Sequence, residues 1–332
     1  MKKKRCIYLF VITFSLFFVN CSTSPVRWTV ENVSYEIEEG WQTEKQTMNI
    51  LLPKDNKDVH AIVYIHGGFY FAGNKLWFPL FLTEFSEKNI FATIGYRLIS
   101  TCSCDDHDRI CMEDMLSDIH NALLRLREYA IDNGYSIKDF VLMGHSAGGH
   151  LSMLYSYRYL QENDPEGIRI AAVVSLSSPS DFSDDFGWSS MRWYGDTVEA
   201  RLETLSSMGT ELTRQPIELT QYNWASQRSF HEYLPYVTTI SPIMHLNRDA
   251  NIPPTLIVHG LQDQIVPYSN SVKLSTALER YSISHKFITT TGNAGNHMLG
   301  GHPSRADSVV PITYKNVTWV DEAKEWLRQF LE

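Results

Sequence analysis

The chain has 332 residues, 43% of them hydrophobic and 20% charged, which is enough apolar material for a large core and too little charge for a disordered polymer. Its formal net charge is −9; the first twenty residues hold Lys2, Lys3, Lys4 and Arg5 and no acid, so without them 25 bases face 38 acids, a net of −13. A surface that acidic argues against nucleic acid or an anionic membrane face as a partner. No internal repeat or low-complexity tract is present, and α/β folds of this length often form one domain.

The four leading bases run into a continuous apolar stretch from Cys6 to Val19, fourteen residues, short for a bilayer span. Asn20, Cys21 and a Ser-Thr-Ser-Pro stretch follow. A cysteine directly behind such a run resembles a bacterial lipoprotein signal. That resemblance implies a signal peptide over residues 1–20, lipidation of Cys21, and a membrane tether facing the periplasm or the cell surface. Phe18 and Asn20 depart from the small residues usual before that cysteine, so periplasmic or secreted release stays open, as does an uncleaved anchor.

Beyond residue 21 strands alternate with helices. Trp28 to Ile37 and Thr47 to Leu52 read as opening strands, and Ala61 to Ile65 is a short apolar run ending at His66-Gly67-Gly68. Phe91 to Gly95 is another buried run. Over 112–130, Met112, Met115, Leu116, Ile119, Leu123, Leu126 and Ala130 share one face at helical spacing. Phe140 to Met143 reads as a strand, Leu151 to Tyr159 as helix, and Ala171–Leu176, Thr255–Val258 and Lys286–Thr290 as further strands. Val320, Ala323, Trp326, Leu327 and Phe330 mark a closing amphipathic helix. This order predicts an α/β fold with a mostly parallel sheet covered on both faces.

Two segments stand apart. From Ser183 to Ile240, 58 residues carry no clean buried strand but many aromatics, Trp188 and Trp193 among them. A structureless loop of that length is improbable, so the length predicts a helical insertion within a 21–332 domain, either a subdomain with its own small core or, as its point of insertion favours, a cap whose aromatics line a pocket. The second segment is Cys-Ser-Cys-Asp-Asp-His-Asp-Arg-Ile-Cys, holding Cys102, Cys104 and Cys111. In an exported protein Cys111 is expected to pair with Cys102 or Cys104. With His107 the three sulfurs would also make a ligand set, but the spacing matches no common zinc pattern, and no metal is expected.

Gly144-His145-Ser146-Ala147-Gly148 follows a strand and precedes a helix, the context that a G-x-S-x-G nucleophile elbow requires. A serine hydroxyl needs a base, and the base an orienting acid. The strand Thr255–Val258 ends in His259-Gly260-Leu261-Gln262-Asp263, which puts Asp263 on a strand-end loop as the acid. Gly295-Asn296-His297 follows the last strand, which makes His297 the base; His302 competes, whereas His285 lies before its strand. Acyl transfer also needs amide donors for the developing oxyanion. Gly67 and Gly68, with the amide of Ala147, meet that need.

The set His66-Gly67-Gly68-Phe69, Tyr96-Arg97-Leu98, Gly144-His145-Ser146-Ala147-Gly148-Gly149-His150-Leu151, Ser241-Pro242-Ile243, Asp263 and His297 resembles α/β-hydrolase esterases. It looks closest to the hormone-sensitive-lipase-like carboxylesterases and the bacterial feruloyl or acetyl esterases. The resemblance covers roughly residues 45–332 and implies an eight-stranded sheet, a Ser-His-Asp triad and no cofactor. Phe69 stands where many relatives carry a third glycine, which narrows the oxyanion side of the pocket. The expected function is a serine carboxylic ester hydrolase working through an acyl-enzyme on short-chain or carbohydrate-linked acetyl or feruloyl esters. A peptidase or formamidase-like amidase is the alternative within catalysis, and a binding protein on a hydrolase scaffold the alternative outside it.

Overall fold

The structure, a computed structural model, describes residues 26–35, 42–99, 110–163, 166–182, 197–218, 230–248, 250–303 and 311–332. The amino-terminal leader with Cys21, the segment with Cys102 and Cys104, and Trp188 and Trp193 lie outside the described residues. Among the described residues no helix is long and apolar enough to cross a membrane.

The strands are β1 (Val30–Ser34), β2 (Thr47–Leu51), β3 (Asp58–Ile65), β4 (Ile90–Ile94), β5 (Ser136–His145), β6 (Ile170–Leu176), β7 (Thr255–Gly260) and β8 (His285–Thr290). They form one eight-stranded sheet in the order β1-β2-β4-β3-β5-β6-β7-β8. β1 and β2 pair antiparallel and every pairing from β4–β3 onward is parallel. The expected mostly parallel, helix-flanked sheet is therefore present. β9 (Gly301–Pro303) and β10 (Ile312–Tyr314) make a separate two-stranded ribbon.

The helices are α1 (Met112–Asp132), α2 (Ala147–Leu154), α3 (Val198–Thr213), α4 (Phe230–Thr239), α5 (Tyr268–Arg280) and α6 (Trp319–Leu331). Parallel neighbours need crossovers, and the crossover helices cover both faces, so successive strand residues are both buried. Val63, Ile65 and Leu142 join α1 and α2 in one core; Ile62, Tyr64, Val141 and Met143 join α6 and the short helix Leu80–Glu87 in the other. All seven apolar residues expected on one face of α1 are buried. A smaller core places Leu274 and Leu278 of α5 against Val173 and Ile257.

The described parts of the insertion after β6 contain two helices, α3 and α4. Met208 and Leu212 of α3, with Ile217, Val237 and Ile240, belong to the same core as Tyr70, Ala147 and Leu151. The described part of the insertion thus packs where α2 starts. Its root is pinned by the Phe182 amide donating to Ser241 Oγ at 2.8 Å, and by the amides of Ser180 and Asp181 donating to Asn270 Oδ1 at 3.0 and 3.1 Å.

Candidate active site

β5 delivers Ser146 at its carboxyl end, and α2 begins at the next residue. Ser146 has φ 54° and ψ −123°, a conformation that costs a non-glycine residue on the order of 1–3 kcal/mol and persists only where its surroundings enforce it. Enforcement comes from both sides. The Ser146 amide donates to the Leu176 carbonyl at 2.8 Å, and α2 presses against β3 so closely that a Cβ on Gly148 would stand 2.0 Å from the Ile65 carbonyl oxygen. Only glycine at 148 lets the elbow close.

The His66-Gly67-Gly68 turn leaves β3 beside the elbow, because Ile65 is paired in register with Gly144. A Cβ on Gly67 would lie 2.6 Å from the His145 carbonyl and 3.2 Å from the Ser146 Cβ. Gly68, Phe69 and Tyr70 all take positive φ, 122°, 57° and 68°, so the backbone curls tightly here. Buried His66 braces the turn: its ring stacks on Tyr96 at 4.4 Å, Tyr96 donates to the His66 carbonyl at 2.9 Å, and Nδ1 donates to the Gly67 carbonyl at 2.7 Å. Burial pushes the His66 imidazole down to about 4, so it is neutral near pH 7. Arg97 next door is clamped by Asp118, which takes Nε and Nη2 at 2.7–3.0 Å and also the Arg97 amide. Phe69, expected in the pocket, is half-buried and stacks with Phe71 at 5.8 Å.

Asp263 follows β7 and His297 follows β8, and the two meet across 34 residues: His297 Nδ1–H donates to Asp263 Oδ2 at 2.8 Å. The other carboxylate oxygen accepts from the amides of Ile265 and Val266 at 2.8 and 3.0 Å. Burial alone would raise the Asp263 carboxyl, but hydrogen bonds from His259 and His297 outweigh it and hold the group below the usual carboxylate range. An ionised Asp263 fixes the His297 proton on Nδ1 and leaves Nε2 as the basic nitrogen. The competitors separate cleanly. His302 sits exposed on β9, and His285 stands at the far end of β8 with its Nε2 on Ser275.

Three groups escaped the sequence reading. His259 lies wholly buried on β7, with Nε2 3.2 Å from Asp263 Oδ2 and 3.0 Å from the Val266 carbonyl; Ser271 donates to its Nδ1 at 2.6 Å. His145, inside the elbow motif, donates from Nε2 to the His297 carbonyl at 2.8 Å. His150, one turn into α2, donates from Nε2 to the Ile240 carbonyl at 2.7 Å, tying the nucleophile helix to the end of the insertion. His145 and His150 both belong to the run around the elbow, but nothing linear marks their partners 152 and 90 residues away. Cys111, which precedes α1, is buried and has no disulfide partner among the described residues; burial pushes the pKa of its thiol up to about 11. Its expected partners, Cys102 and Cys104, lie outside the described residues.

Residues 48–278 match the BD-FAE family model. Among curated proteins, the chain is 24% identical over 264 residues to the probable isoprenylcysteine alpha-carbonyl methylesterase ICMEL1 of Arabidopsis thaliana; the match takes in 79% of this chain and 50% of that protein. The chain thus spans about half the length of that relative. Among solved structures, a truncated carbohydrate esterase from gut microbiota aligns with TM-score 0.57 and 21% identity over 84% of this chain and 93% of its own. Esterase B from Lactobacillus Rhamnosis aligns with TM-score 0.59 and 18% identity over 92% and 84%. The thermophilic esterase Est2 of Thermogutta terrifontis gives 0.55 and 20% over 86% and 88%. The family match covers well over half of the residues, and the chain belongs to the BD-FAE family, with the α/β-hydrolase fold of carboxylic ester hydrolases.

Proposed function

We propose that this protein is a serine carboxylic ester hydrolase in which Ser146 is the nucleophile, His297 the base and Asp263 the orienting acid. The observation that carries the reading is the 2.8 Å hydrogen bond from His297 Nδ1 to an ionised Asp263, on the sheet edge where Ser146 holds its strained elbow. In the first half-reaction Ser146 Oγ attacks the acyl carbonyl carbon while His297 Nε2 takes the hydroxyl proton. The carbonyl oxygen becomes an oxyanion, met by the amides of Gly67, Gly68 and Ala147, each worth roughly 2.7–4 kcal/mol in such a site. Collapse of the adduct expels the alcohol, which takes its proton from His297, and leaves an acyl-enzyme. Water then enters by the same route, and His297 again removes and returns a proton.

For substrate, the similar proteins include a carbohydrate esterase and a probable methylesterase, which supports a short-chain or carbohydrate-linked acetyl or feruloyl ester. The insertion over 183–240, resting on the core that contains Ala147, supports its use as a cap, with Phe69, Trp188 and Trp193 as the aromatics that meet the acyl or sugar part. A series of p-nitrophenyl esters from acetate to laurate, with acetylated xylan and methyl ferulate, tests the reading. Turnover of the short or carbohydrate-linked members, lost in Ser146→Ala, is the expected result; turnover retained in that variant overturns the nucleophile.

The same proposal includes export by residues 1–20 and lipidation at Cys21. Palmitate labelling of the wild type that is lost in Cys21→Ser supports it, and an unlabelled, soluble wild type removes it.

A further inference from the structure

Within the G-x-S-x-G motif the residue before the serine is usually read only as a spacer. Here it is His145, and the esterase reading above gives it no task. Its side chain is buried between the two halves of the site. On one side, the position a Cβ would take on Gly67 lies 3.3 Å from His145 Nδ1. On the other, the ring packs against the His297 imidazole at 4.7 Å and 54°, and Nε2 reaches the His297 carbonyl at 2.8 Å. A carbonyl only accepts, so His145 carries its proton on Nε2 and serves as a neutral donor. Burial, then the neighbouring His297, push its imidazole down to about 3; Asp263 and His259 are the other titrating groups that reach it, acting in opposite directions.

His297 stands on a loop, and among the described residues its side chain is hydrogen-bonded to Asp263. One hydrogen bond at Nδ1 fixes the tautomer but leaves the ring free to swing about that bond with its backbone. A second bond, made to the backbone of the same residue from the strand that carries the nucleophile, removes that freedom. It also couples the base to the elbow: β5 supplies Ser146 and, one residue earlier, the donor that locates His297.

We propose that His145 is a positioning residue that holds His297 in register with Ser146 through its Nε2–H bond to the His297 carbonyl. The inference rests on the esterase reading. Misplacing a base by about 1 Å can cost on the order of 100-fold in rate, so loss of the restraint falls on the chemical step and leaves substrate binding alone.

The test uses the full chain and p-nitrophenyl acetate, with two variants. His145→Leu keeps the bulk and removes the donor, whereas His145→Gln places an amide N–H near the position of Nε2. The expected result is a kcat at least tenfold lower in His145→Leu with KM within about twofold, and recovery to within about threefold of wild type in His145→Gln. A folded His145→Leu with wild-type kcat overturns the proposal, as does a folded His145→Gln no better than the leucine variant, because the ring and not its proton would then matter. Should His145→Leu fail to fold, His145→Gln decides alone: a tenfold loss of kcat overturns the positioning role. The esterase reading fails differently, by a wild type with no turnover of any ester in the series or by an active Ser146→Ala.

Discussion

His259 and His297 converge on one oxygen, Asp263 Oδ2, at 3.2 and 2.8 Å, the first from β7 and the second from the loop after β8. The acid of the proposed triad is therefore held by two imidazoles, one facing the nucleophile and one facing the core. With Ser271 donating to Nδ1, His259 is set to give its Nε2 proton toward Asp263 and the Val266 carbonyl. A hydrogen bond to a charged group contributes about 1.5–3 kcal/mol. His259→Ala should lower kcat by roughly tenfold and His259→Gln by less, measured by steady-state hydrolysis of p-nitrophenyl acetate on variants with unchanged circular dichroism. A folded His259→Ala with full kcat would show that the two amides and His297 suffice to hold the acid.

Ser146→Ala should reduce kcat by about 10⁴–10⁶ with the sheet intact, and His297→Ala nearly as much. The double variant should lose little more, since the two residues act as a unit. Steady-state kinetics and thermal melts on the three proteins measure this. An active His297→Ala together with a dead His302→Ala would move the base, against the exposed position of His302 on β9.

Stability should fall as the solution is acidified from pH 7 to pH 5. His66, His145 and His150 are all buried with imidazoles pushed down to about 4, 3 and 4. Between an ordinary value near 6.5 and those native values, the unfolded chain takes up three protons that the native state refuses, so stability is lost as pH drops through that window. Each ring contributes up to about 1.4 kcal/mol per pH unit there. Asp263, whose native carboxyl is depressed, adds its own loss only at more acid pH, below the ordinary carboxylate range. Urea unfolding at pH 7, 6 and 5 with an unchanged m-value is the measurement; a flat midpoint would mean the three rings are protonated in the native state.

The cap proposal has its own signature. Trp188→Ala or Trp193→Ala should reduce kcat/KM several-fold more for bulky esters than for acetate, because contacts to the non-reacting part of a substrate act through its binding energy. Melting temperature should change less than selectivity. Equal losses across the ester series combined with a lowered melting temperature would make the segment a structural addition.

The elements that position the site were legible because each carries its own local signal. Phe140–Met143 with glycines behind it announces a strand meeting a sharp turn, and the α1 apolar face repeats over five turns. The α5 helix was not read from the sequence. Its buried side includes Asn270 and Ser271 beside Leu274 and Leu278, while Val272 is exposed, so hydropathy does not trace its packed face. β9 and β10 have three residues each, too few for any period to show. The proposed acid and base are marked in the sequence only by their order after strand ends. The donors that hold them are not marked, because a ring's partner is set by tertiary geometry.

The sheet order divides the site into parts of unequal permanence. The His66-Gly67-Gly68 turn and the elbow leave β3 and β5, adjacent in the middle of the ladder with neighbours on both sides, whereas the proposed base hangs from β8, beside whose outer edge no strand lies among the described residues. Fraying at a sheet margin needs far less free energy than opening its centre. On heating, the proposed base on its marginal arm is therefore expected to lose its place before the elbow and the glycine turn do. Loss of activity is then expected at a lower temperature than global melting, with recovery on cooling from that interval.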